Sequence, residues 1–387
     1  MVATPAPARR RVVLLGASGS IGRQALEVIE RFPDRFELVG AVVGHDPEAL
    51  VEIAARHRLT QAAIVDPLPG TDLPAWCGVG VAAACEVAAT DAEVVCVGIT
   101  GAAALLPTLA ALDAGRDVAI ATKEVLVMAG ELVRARAEAG GATLLPVDSE
   151  HSALWQCLRG ERVEAVQRLV LTASGGPFRD RPPAGLASVT VEEALRHPTW
   201  VMGPKVTIDS ATMMNKGLEI IEAHFLFDVP YARIAVLIHP ASIVHSMVEF
   251  VDGATVAQLG TPDMRVPIAL ALSGGQRLPG ICPPARLQDT GALEFFEVDT
   301  GRFPAVALAR HAGELGGGAP CVLNAANEAA VAAFLTGRCR YLDIVALVEL
   351  ALERVERPAA PGIADLMELD AAARRMVAAA AGTAVKA

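Results

Sequence analysis

The chain has 387 residues, of which 53% are hydrophobic and 20% charged, and its net charge at pH 7 is −11. This length is enough for two or three domains, each with a core of its own. The acidic balance, with no basic cluster beyond residues 9–11, argues against a nucleic-acid partner, so an anionic substrate would need local positive charge.

The longest uncharged run, residues 94–112, is nominally long enough to span a bilayer. Gly98, Gly101 and Pro107 interrupt it where a strand, a loop and a helix would turn. The residues before Arg9 contain no apolar core of a signal peptide. The cysteines number seven, without a CxxC pair, which is typical of reduced thiols. We therefore predict a cytoplasmic protein that has no membrane partner.

The first element is an apolar run that ends at a glycine-rich turn. Glycines follow at 16, 19 and 22, and an amphipathic segment comes next. This spacing is a variant of the dinucleotide fingerprint, in which glycine permits close approach of the backbone to a pyrophosphate at the helix N-terminus, here near Ser20. A purely structural turn is the alternative. The position between a first strand and a helix favours dinucleotide binding.

Strand and helix patterns then alternate. We predict a strand at residues 36–44, a helix from about Pro47, and strands near 62–65, 93–99, 117–122 and 142–147. This alternation is typical of a parallel, doubly wound sheet. Lys123 comes just after one of these strands, where ligands bind in open α/β sheets. The alternative is a surface lysine paired with Glu124.

After the last of these strands the chain enters a helix through two carboxylates, Asp148 and Glu150. In an extended segment alternate side chains point the same way, so both acids would face one side and Ser149 the other. Like charges this close repel unless a cation lies between them. The segment is therefore either a solvated strand end, with Glu150 near a helix N-terminus, or two thirds of a divalent metal site.

The middle of the chain contains a serine–glycine turn and a long proline-rich connection. Ser174, Gly175 and Gly176 could form a phosphate-binding nest or a plain turn. The connection that follows includes His197, Trp200 and Met202, which are unusual in a solvated linker. They suit a lid that excludes water, although Trp200 could simply pack the loop down.

Residues 209–227 are predicted to form one helix with Ser210 at its start. One face is apolar, and the other carries Thr212, Asn215, Lys216 and Glu219. Lys216 and Glu219 alone could be a surface ion pair. The serine, amide and ammonium groups would also suit a phosphate. Glu219 would suit a third carboxylate ligand of a hard divalent cation.

Eight motifs of the chain have a family resemblance. They are GASGSIG, PVDSEHSA, ASGGPF, HPTWVMGPK, DSATMMNKGLE, HPASIVHSMVEF, TPDMR and LNAANEAAVAAFL. In these motifs the chain resembles the 1-deoxy-D-xylulose 5-phosphate reductoisomerase family, from about Arg11 to the C-terminal helices. The resemblance implies a homodimeric enzyme that isomerises this phosphosugar and reduces it to 2-C-methyl-D-erythritol 4-phosphate, in non-mevalonate isoprenoid biosynthesis. It also implies NADPH and a divalent metal as cofactors.

The resemblance implies a role for each matching residue. The ligands of Mg²⁺, Mn²⁺ or Co²⁺ would be Asp148, Glu150 and Glu219. These three residues, with Lys123 and His197, would form the catalytic set. The substrate would be bound by Lys123, Ser149, Glu150 and Glu219, and its phosphate by Ser174, His197, Ser210, Asn215 and Lys216. The cofactor would be bound by Ser18, Gly19, Ser20, Ile21, Gly44, His45, Thr122, Glu124 and Gly203. His245 and Met264 would line the pocket.

Two positions depart from the family pattern. Gly44, His45 and Asp46 stand where the family often has Gly-Lys-Asn, and an acid there would repel the 2′-phosphate of NADPH. We favour the interpretation that Asp46 caps the helix beginning at Pro47 and leaves the preference for NADPH in place. Thr122 stands where the family often has asparagine, and we expect it to make fewer cofactor contacts.

The predicted fold class is α/β in three parts. Residues 1–148 form a Rossmann-like NADPH-binding domain, 149–285 a central α/β catalytic domain, 286–302 a linker, and 303–387 a helical bundle of four helices. The strands near 235–250 and 255–260 could build a dimer interface. Two other classes fit the first domain: a metal-dependent semialdehyde dehydrogenase and a non-enzymatic dinucleotide sensor. The first does not explain a phosphate site beside three carboxylates, and the second has no need of Lys123 or a lid.

Overall fold

The structure is a computed structural model that describes residues 9–200 and 202–384, so the segment for which we predict no signal peptide lies outside the described residues. The strands are β1 (Arg10–Leu15), β2 (Phe36–Val43), β3 (Ala62–Ile64), β4 (Gly78–Val79), β5 (Val94–Val97), β6 (Asp117–Ile120), β7 (Leu144–Pro146), β8 (Val166–Ala173), β9 (Ile234–Ile238), β10 (Val244–Phe250), β11 (Thr255–Leu259) and β12 (Phe296–Glu297).

The helices follow the same chain order. They are α1 (Ser20–Arg31), α2 (Pro47–His57), α3 (Gly80–Ala88), α4 (Leu105–Asp113), α5 (Lys123–Gly140), α6 (Ser149–Cys157), α7 (Val191–Ala194), α8 (Pro204–Thr212), α9 (Met214–Phe227), α10 (Arg265–Leu272), α11 (Ala305–Leu315), α12 (Ala319–Leu335), α13 (Asp343–Arg354) and α14 (Ile363–Ala384). Among the described residues, none of these helices combines the length and the apolar character that crossing a membrane requires.

The chain divides into two compact units. The first comprises the residues up to Val125, Leu132–Ser152 and Asp263–Pro283. The second comprises Leu126–Glu131, Ala153–Pro262 and the residues from Pro284 onward. The finer division at residues 148, 285 and 302 stays a prediction.

The first unit is built on a parallel sheet with the strand order β4-β3-β2-β1-β5-β6-β7. Residues 12–15 of the central strand β1 are almost fully buried, because helices cover both faces of such a sheet. The chain turns to one side of β1 for β2 and to the other for β5. The carboxyl ends of β1 and β5 therefore form the topological switch point, where open α/β sheets bind ligands. The predicted doubly wound sheet is confirmed, with β4 and α3 as elements that the pattern did not show.

A segment far along the chain completes the first unit. Helix α10 packs against α1, and Arg265 Nη1 of α10 lies 3.3 Å from Glu27 Oε2 of α1. Beyond α10, the side chain of Gln276 accepts a hydrogen bond from Arg35. Residues that the sequence placed in the central domain thus supply part of the covering layer of the nucleotide sheet.

The second unit contains a mixed sheet with the order β11-β10-β8-β9-β12. Strand β8 pairs in parallel with β9, and the other pairs are antiparallel. Its core is formed by side chains of β8 such as Leu169 and Leu171, which pack with Ile220 and Ala223 of α9 and Val306 of α11. The sheet thus gives β8 and α9 a rigid support at the place where the polar residues of the middle segment begin.

The four helical patterns predicted after residue 303 are confirmed as α11, α12, α13 and α14. Helix α12 packs against both α13 and α14. Although most of α12 is apolar and buried, its two asparagines, Asn324 and Asn327, are also fully buried. Because a buried amide is costly unless it is hydrogen-bonded, these two residues need partners inside the unit.

The single helix predicted over residues 209–227 is wrong. Met213, with φ at 63°, lies in the left-handed region and separates α8 from α9. Ser210 therefore lies in the last turn of α8 and not at a helix start. A left-handed residue costs about 1–2 kcal/mol, and burial of the Met213 side chain in the core offsets it. The apolar pattern of the sequence continues through Met213, so it cannot reveal the break between α8 and α9.

Candidate active site

The glycine turn after β1 is closely packed against the turn after β5. Gly16 has φ at +89°, and a Cβ there would lie 2.6 Å from the carbonyl oxygen of Gly98. A Cβ on Gly22 would lie 2.3 Å from the carbonyl oxygen of Gly16. Only glycine fits at either position. The fingerprint is therefore a real constraint on the backbone and not a chance spacing.

Helix α1 begins at Ser20 with Gly19 as its N-cap. Glycine has no side chain that could accept hydrogen bonds from the first N–H groups of the helix. Ser18, Gly19, Ser20 and Ile21, the predicted cofactor residues of this turn, are all partly or fully exposed. The N-terminus of α1 is therefore suited to an anionic group such as a pyrophosphate.

Asp46, which follows β2, caps helix α2 as we predicted. The Asp46 side chain accepts a hydrogen bond from the Ala49 N–H at 3.0 Å and caps α2, which begins at Pro47. His45 is exposed, and its Nδ1 lies 2.6 Å from the carbonyl oxygen of Asp66. Gly44 has open space where a Cβ would be. The capping interpretation is confirmed.

Thr122 and Glu124 flank the start of α5 and are buried. The Thr122 hydroxyl contacts the turn after β5, where its Oγ1 lies 2.5 Å from the Ile99 carbonyl oxygen and 3.3 Å from that of Val97. The hydroxyl is thus directed at the protein backbone. This orientation is consistent with the expectation that threonine makes fewer contacts with a cofactor than asparagine.

Lys123 is not a surface lysine. It is the first residue of α5, its side chain is 9% exposed, and its Nζ donates to Oδ2 of Asp148. The alternative of a surface pair with Glu124 is therefore wrong. The contact joins two of the predicted catalytic residues within the first unit, at the carboxyl ends of β6 and β7.

Asp148 and Glu150 lie close together, but not for the predicted reason. Helix α6 begins at Ser149, so the alternation of an extended strand does not apply. One carboxylate oxygen of each residue lies within 4.8 Å of the other. Asp148 Oδ1 accepts from the Ser149 N–H at 2.9 Å, and the Ser149 hydroxyl donates to Glu150. A helix start, rather than a strand, brings the two carboxylates to one place.

Sequence reasoning gave no role to His151. One of its ring nitrogens lies within 4.8 Å of a carboxylate oxygen of Asp148, and its side chain is fully buried. The available signal was its spacing of three residues from Asp148 at a helix start, which places the two side chains on one face.

In the second unit, Glu219 is fully buried and receives two donors from its own helix. Asn215 Nδ2 and Lys216 Nζ each lie 2.5 Å from one of its carboxylate oxygens. Lys216 is 5% exposed at its side chain, so the pair is not the solvated surface pair that we considered. Burial of an ion pair is costly, yet the chain places a lysine and a glutamate in contact here. A buried pair of ionisable side chains is typical of a functional site.

The Ser174 turn and His197 contact one another. His197 Nδ1 accepts from the N–H groups of Thr199 and Trp200 at 3.1 and 2.9 Å, so in the neutral ring the proton is on Nε2. Nε2 lies 3.1 Å from Ser174 Oγ. Burial lowers the pKa of His197, which keeps the ring neutral. The loop thus presents an N–H donor at the serine hydroxyl.

The predicted phosphate residues occupy neighbouring segments of the second unit. A Cβ on Gly176, with φ at +68°, would lie 2.5 Å from the Ser210 carbonyl oxygen. The Met213 N–H donates to that same oxygen at 3.2 Å, and the Lys216 N–H donates to the Met213 carbonyl at 3.1 Å. The turn after β8, the end of α8 and the start of α9 are therefore in contact.

The predicted cofactor and pocket residues also include Gly203, His245 and Met264. Gly203 is the exposed N-cap of α8. The ring centroids of Trp200 and His245 are 6.4 Å apart, and Met264 is the N-cap of α10 in the first unit. The lid function of the loop around Trp200 stays a prediction.

Comparison with known proteins decides the family. Three family models match this chain: 1-deoxy-D-xylulose 5-phosphate reductoisomerase over residues 12–130, its C-terminal domain over residues 144–227, and a second DXP reductoisomerase C-terminal domain over residues 259–376. The chain belongs to the 1-deoxy-D-xylulose 5-phosphate reductoisomerase family. The predicted resemblance is confirmed.

Curated reductoisomerases are similar over almost their whole length. The chain is 50% identical over 380 residues to the reductoisomerase of Geobacillus kaustophilus, which covers 95% of this chain and 98% of the relative. It is 51% identical over 355 residues to that of Anaeromyxobacter dehalogenans, with 89% and 90% covered.

Solved reductoisomerase structures have the same fold. The enzyme of Zymomonas mobilis in complex with NADPH has a TM-score of 0.89 at 41% identity, with 97% of this chain and 99% of that chain covered. A reductoisomerase in complex with NADPH, fosmidomycin and magnesium has a TM-score of 0.90 at 37% identity with the same coverage. The predicted α/β class and the enzyme class, an NADP-dependent oxidoreductase, are confirmed. The semialdehyde dehydrogenase and sensor alternatives are set aside.

Proposed function

We propose roles for the site residues of this reductoisomerase. It isomerises 1-deoxy-D-xylulose 5-phosphate and reduces the product with NADPH to 2-C-methyl-D-erythritol 4-phosphate. The observation that carries the residue assignment is that each unit presents a carboxylate in contact with a lysine whose side chain is at most 9% exposed. These pairs are Lys123–Asp148 in the first unit and Lys216–Glu219 in the second.

Asp148, Glu150 and Glu219 are the proposed ligands of Mg²⁺, Mn²⁺ or Co²⁺. The donors are all carboxylate oxygens, which hard divalent cations prefer, and three ligands leave positions for substrate oxygens. The proximity of Asp148 and Glu150 in the first unit supports this set, because carboxylate oxygens within 4.8 Å of one another can bind the same cation. A divalent cation there would polarise the substrate carbonyl and acidify its hydroxyl.

The residues around these carboxylates orient them and the substrate. Lys123 fixes one oxygen of Asp148, and the Ser149 hydroxyl does the same for Glu150. Their donors are also the groups that would contact the substrate hydroxyls and carbonyl. Fixed donors of this kind stabilise negative charge that develops on oxygen during carbon–carbon cleavage and rejoining.

The phosphate of the substrate would be bound by Ser174, His197, Ser210, Asn215 and Lys216. Supporting this assignment, the His197 Nε2–H is directed at the Ser174 hydroxyl, and the Gly176 backbone touches the Ser210 carbonyl. A phosphate lies far from the reacting carbons. Its binding energy would therefore serve to close the loop that carries Trp200 and to exclude water.

NADPH would be bound at the N-terminus of α1 by Ser18, Gly19, Ser20 and Ile21, with Gly44, His45, Thr122, Glu124 and Gly203 as further contacts. The closely packed glycine turn supports the pyrophosphate position. The carboxylate of Asp46 is engaged by the Ala49 N–H and is not free to approach a 2′-phosphate. The bound dinucleotide supplies the hydride. We therefore expect NADPH to be preferred over NADH, by a smaller margin than with a lysine at position 45.

A homodimer in the cytoplasm is proposed as the working form. Strand β11 is an edge of the five-stranded sheet and its first residues, Thr255 and Val256, are exposed. An open edge of this kind is protected when it pairs with another copy. Among the described residues the cysteines form no disulfide with one another, which supports a reducing compartment.

The direct test is oxidation of NADPH with 1-deoxy-D-xylulose 5-phosphate and Mn²⁺. We expect turnover that requires both the substrate and the metal, with NADH less active than NADPH. Ser210→Ala should lower the affinity for the substrate about tenfold or more, because a charge-assisted hydrogen bond contributes about 1.5–3 kcal/mol. The affinity for NADPH should stay unchanged. Binding of NADPH without consumption, or a Ser210→Ala variant that loses NADPH instead of substrate, would contradict the assignment.

A further inference from the structure

The C-terminal helices contain a motif to which the proposed function gives no role. This motif, LNAANEAAVAAFL, forms most of α12, and its Asn327 is fully buried. The Asn327 Nδ2 donates to Oδ1 of Asp209 at 2.8 Å. The other oxygen of Asp209 lies 2.8 Å from Lys205 Nζ, and Asp209 is 1% exposed. Because Asp209 directly precedes Ser210, α12 fixes the last turn of α8 where the proposed phosphate residue lies.

Tyr341, just before α13, makes a second contact with the same turn. Its hydroxyl donates to the carbonyl oxygen of Ala211 at 2.6 Å, and Ala211 directly follows Ser210. The carbonyls of a last helical turn lack partners within the helix, so this bond replaces a missing one. Burial raises the pKa of Tyr341, which keeps the phenol protonated and able to donate.

The ring of Tyr341 also contacts the other phosphate-binding segment. Its centroid lies 5.2 Å from that of Phe178, edge to face at 78°. Phe178 comes two residues after Gly176, in the segment that begins with Ser174. The main chain of this segment is held a second time by Arg302, whose Nη2 donates to the carbonyls of Phe178 and Arg179 at 2.9 and 2.8 Å.

We propose that Tyr341 and Asn327 are positioning residues for the substrate phosphate. This inference rests on the phosphate site proposed above. It identifies the residues that fix the positions of the phosphate-binding segments. Ser174 and Ser210 come from segments that no regular pairing joins, and Tyr341 bridges the two through its ring and its hydroxyl. Preorganised donors bind an anion without the cost of ordering them, and a displacement of about 1 Å can cost about a hundredfold in rate.

Tyr341→Phe is the sharpest test, because it removes one oxygen and retains the ring. The KM for 1-deoxy-D-xylulose 5-phosphate should rise about three- to tenfold, the expected loss for one hydrogen bond. The kcat should change less, and the inhibition constant of inorganic phosphate should rise by the same factor as the KM. The KM for NADPH should stay unchanged. An equal rise of the KM for NADPH and of the KM for substrate would overturn the proposal, because a general loss of structure gives that result.

The chain offers a matched control, since it has only two tyrosines. Tyr231→Phe makes the same chemical change in the same unit at a ring that stacks on His224. Burial also raises the pKa of Tyr231. This control should leave the KM for substrate and the phosphate inhibition constant at their original values. Comparable effects of the two variants on phosphate inhibition would contradict a positioning role for Tyr341.

Asn327 is tested by an exchange. Asn327→Asp places a carboxylate against Asp209 and should raise the substrate KM about tenfold or more, through repulsion of two buried charges. Adding Asp209→Asn restores one amide and one carboxylate, and the KM should return most of the way. If Asn327→Asp lowers thermal stability and leaves the substrate KM unchanged, Asn327 has only a structural role and the proposal is contradicted.

Ser210→Ala separates failure of this inference from failure of the proposed site. If Ser210→Ala leaves phosphate inhibition unchanged, the phosphate site itself is misassigned. If Ser210→Ala weakens inhibition and Tyr341→Phe does not, the site stands and the positioning role is refuted.

Discussion

The nucleotide region of the first unit and the phosphate region of the second are built in opposite ways. The first is a backbone site, in which Gly16 and Gly22 have no room for a Cβ. The second is a side-chain site, where Ser174 contacts His197 and Lys216 donates to the buried Glu219. A backbone site should respond to the size of a substitution. A side-chain site should respond to its charge and its donors.

Glu219→Gln should have the largest effect of the changes that test this comparison. It keeps the size of the side chain and removes its charge, so we expect turnover to fall by about a hundredfold or more, because even the supporting groups of metal sites contribute tenfold to a hundredfold. Binding of NADPH, measured by fluorescence titration, should hardly change. Activity near that of the original enzyme at low metal would contradict the assignment.

The same change leaves the Lys216 ammonium buried without its carboxylate, which typically costs about 3–5 kcal/mol. The double variant Lys216→Met with Glu219→Gln serves as the control. It should recover thermal stability and stay inactive. Recovery of activity along with stability would mean that Glu219 only balances a charge.

Gly16→Ala should have the second largest effect. One methyl group would lie 2.6 Å from the Gly98 carbonyl oxygen at a positive φ. We expect about 2–4 kcal/mol of lost stability together with loss of NADPH binding. Gly141→Ala is the matched control, because Gly141 also has a positive φ but nothing within 4 Å of the added Cβ. Urea unfolding and NADPH titration of both variants separate backbone strain from the close contact.

Asp46→Ala should have a smaller effect that is confined to stability. Loss of the cap on α2 should cost about 1 kcal/mol, while kcat/KM for NADPH stays within about twofold. Asp46→Asn retains a capping side chain and should be almost neutral. A tenfold gain in NADPH affinity with either variant would mean that Asp46 faces the cofactor.

The pH dependence of His197 should give the smallest effect. Burial lowers the pKa of His197 in the native protein below its ordinary value of 6.5. At a pH between the native pKa and 6.5, the unfolded chain therefore binds more protons than the native protein. The contribution to stability is therefore complete above pH 6.5 and is lost as the pH falls through the native pKa. His197→Gln retains a donor and cannot titrate. Its unfolding free energy should fall less than that of the original protein between pH 7 and 5.5.

The sequence could predict the elements and the residue types, but not the breaks and the long-range contacts. The glycines at 16, 19 and 22 and the cap at Asp46 depend on neighbours within a few residues, so local spacing reveals them. Met213 breaks a helix because of tertiary burial, and this moved Ser210 from a predicted helix start to a helix end. The pair Asn327–Asp209 joins positions 118 residues apart, and no local pattern indicates such a contact.

Helix α10 has a consequence for how the chain is made. The first unit needs residues 263–283 to cover α1. Most strands of the second unit's sheet come earlier in the chain, so the ribosome synthesises them before these residues. The nucleotide sheet would therefore emerge with an apolar face uncovered and wait for its last layer while β8–β11 are already available to fold. A fragment that ends near residue 150 should aggregate when expressed alone. The same fragment supplied with residues 263–283 through a short linker should be the smallest piece that folds and binds NADPH.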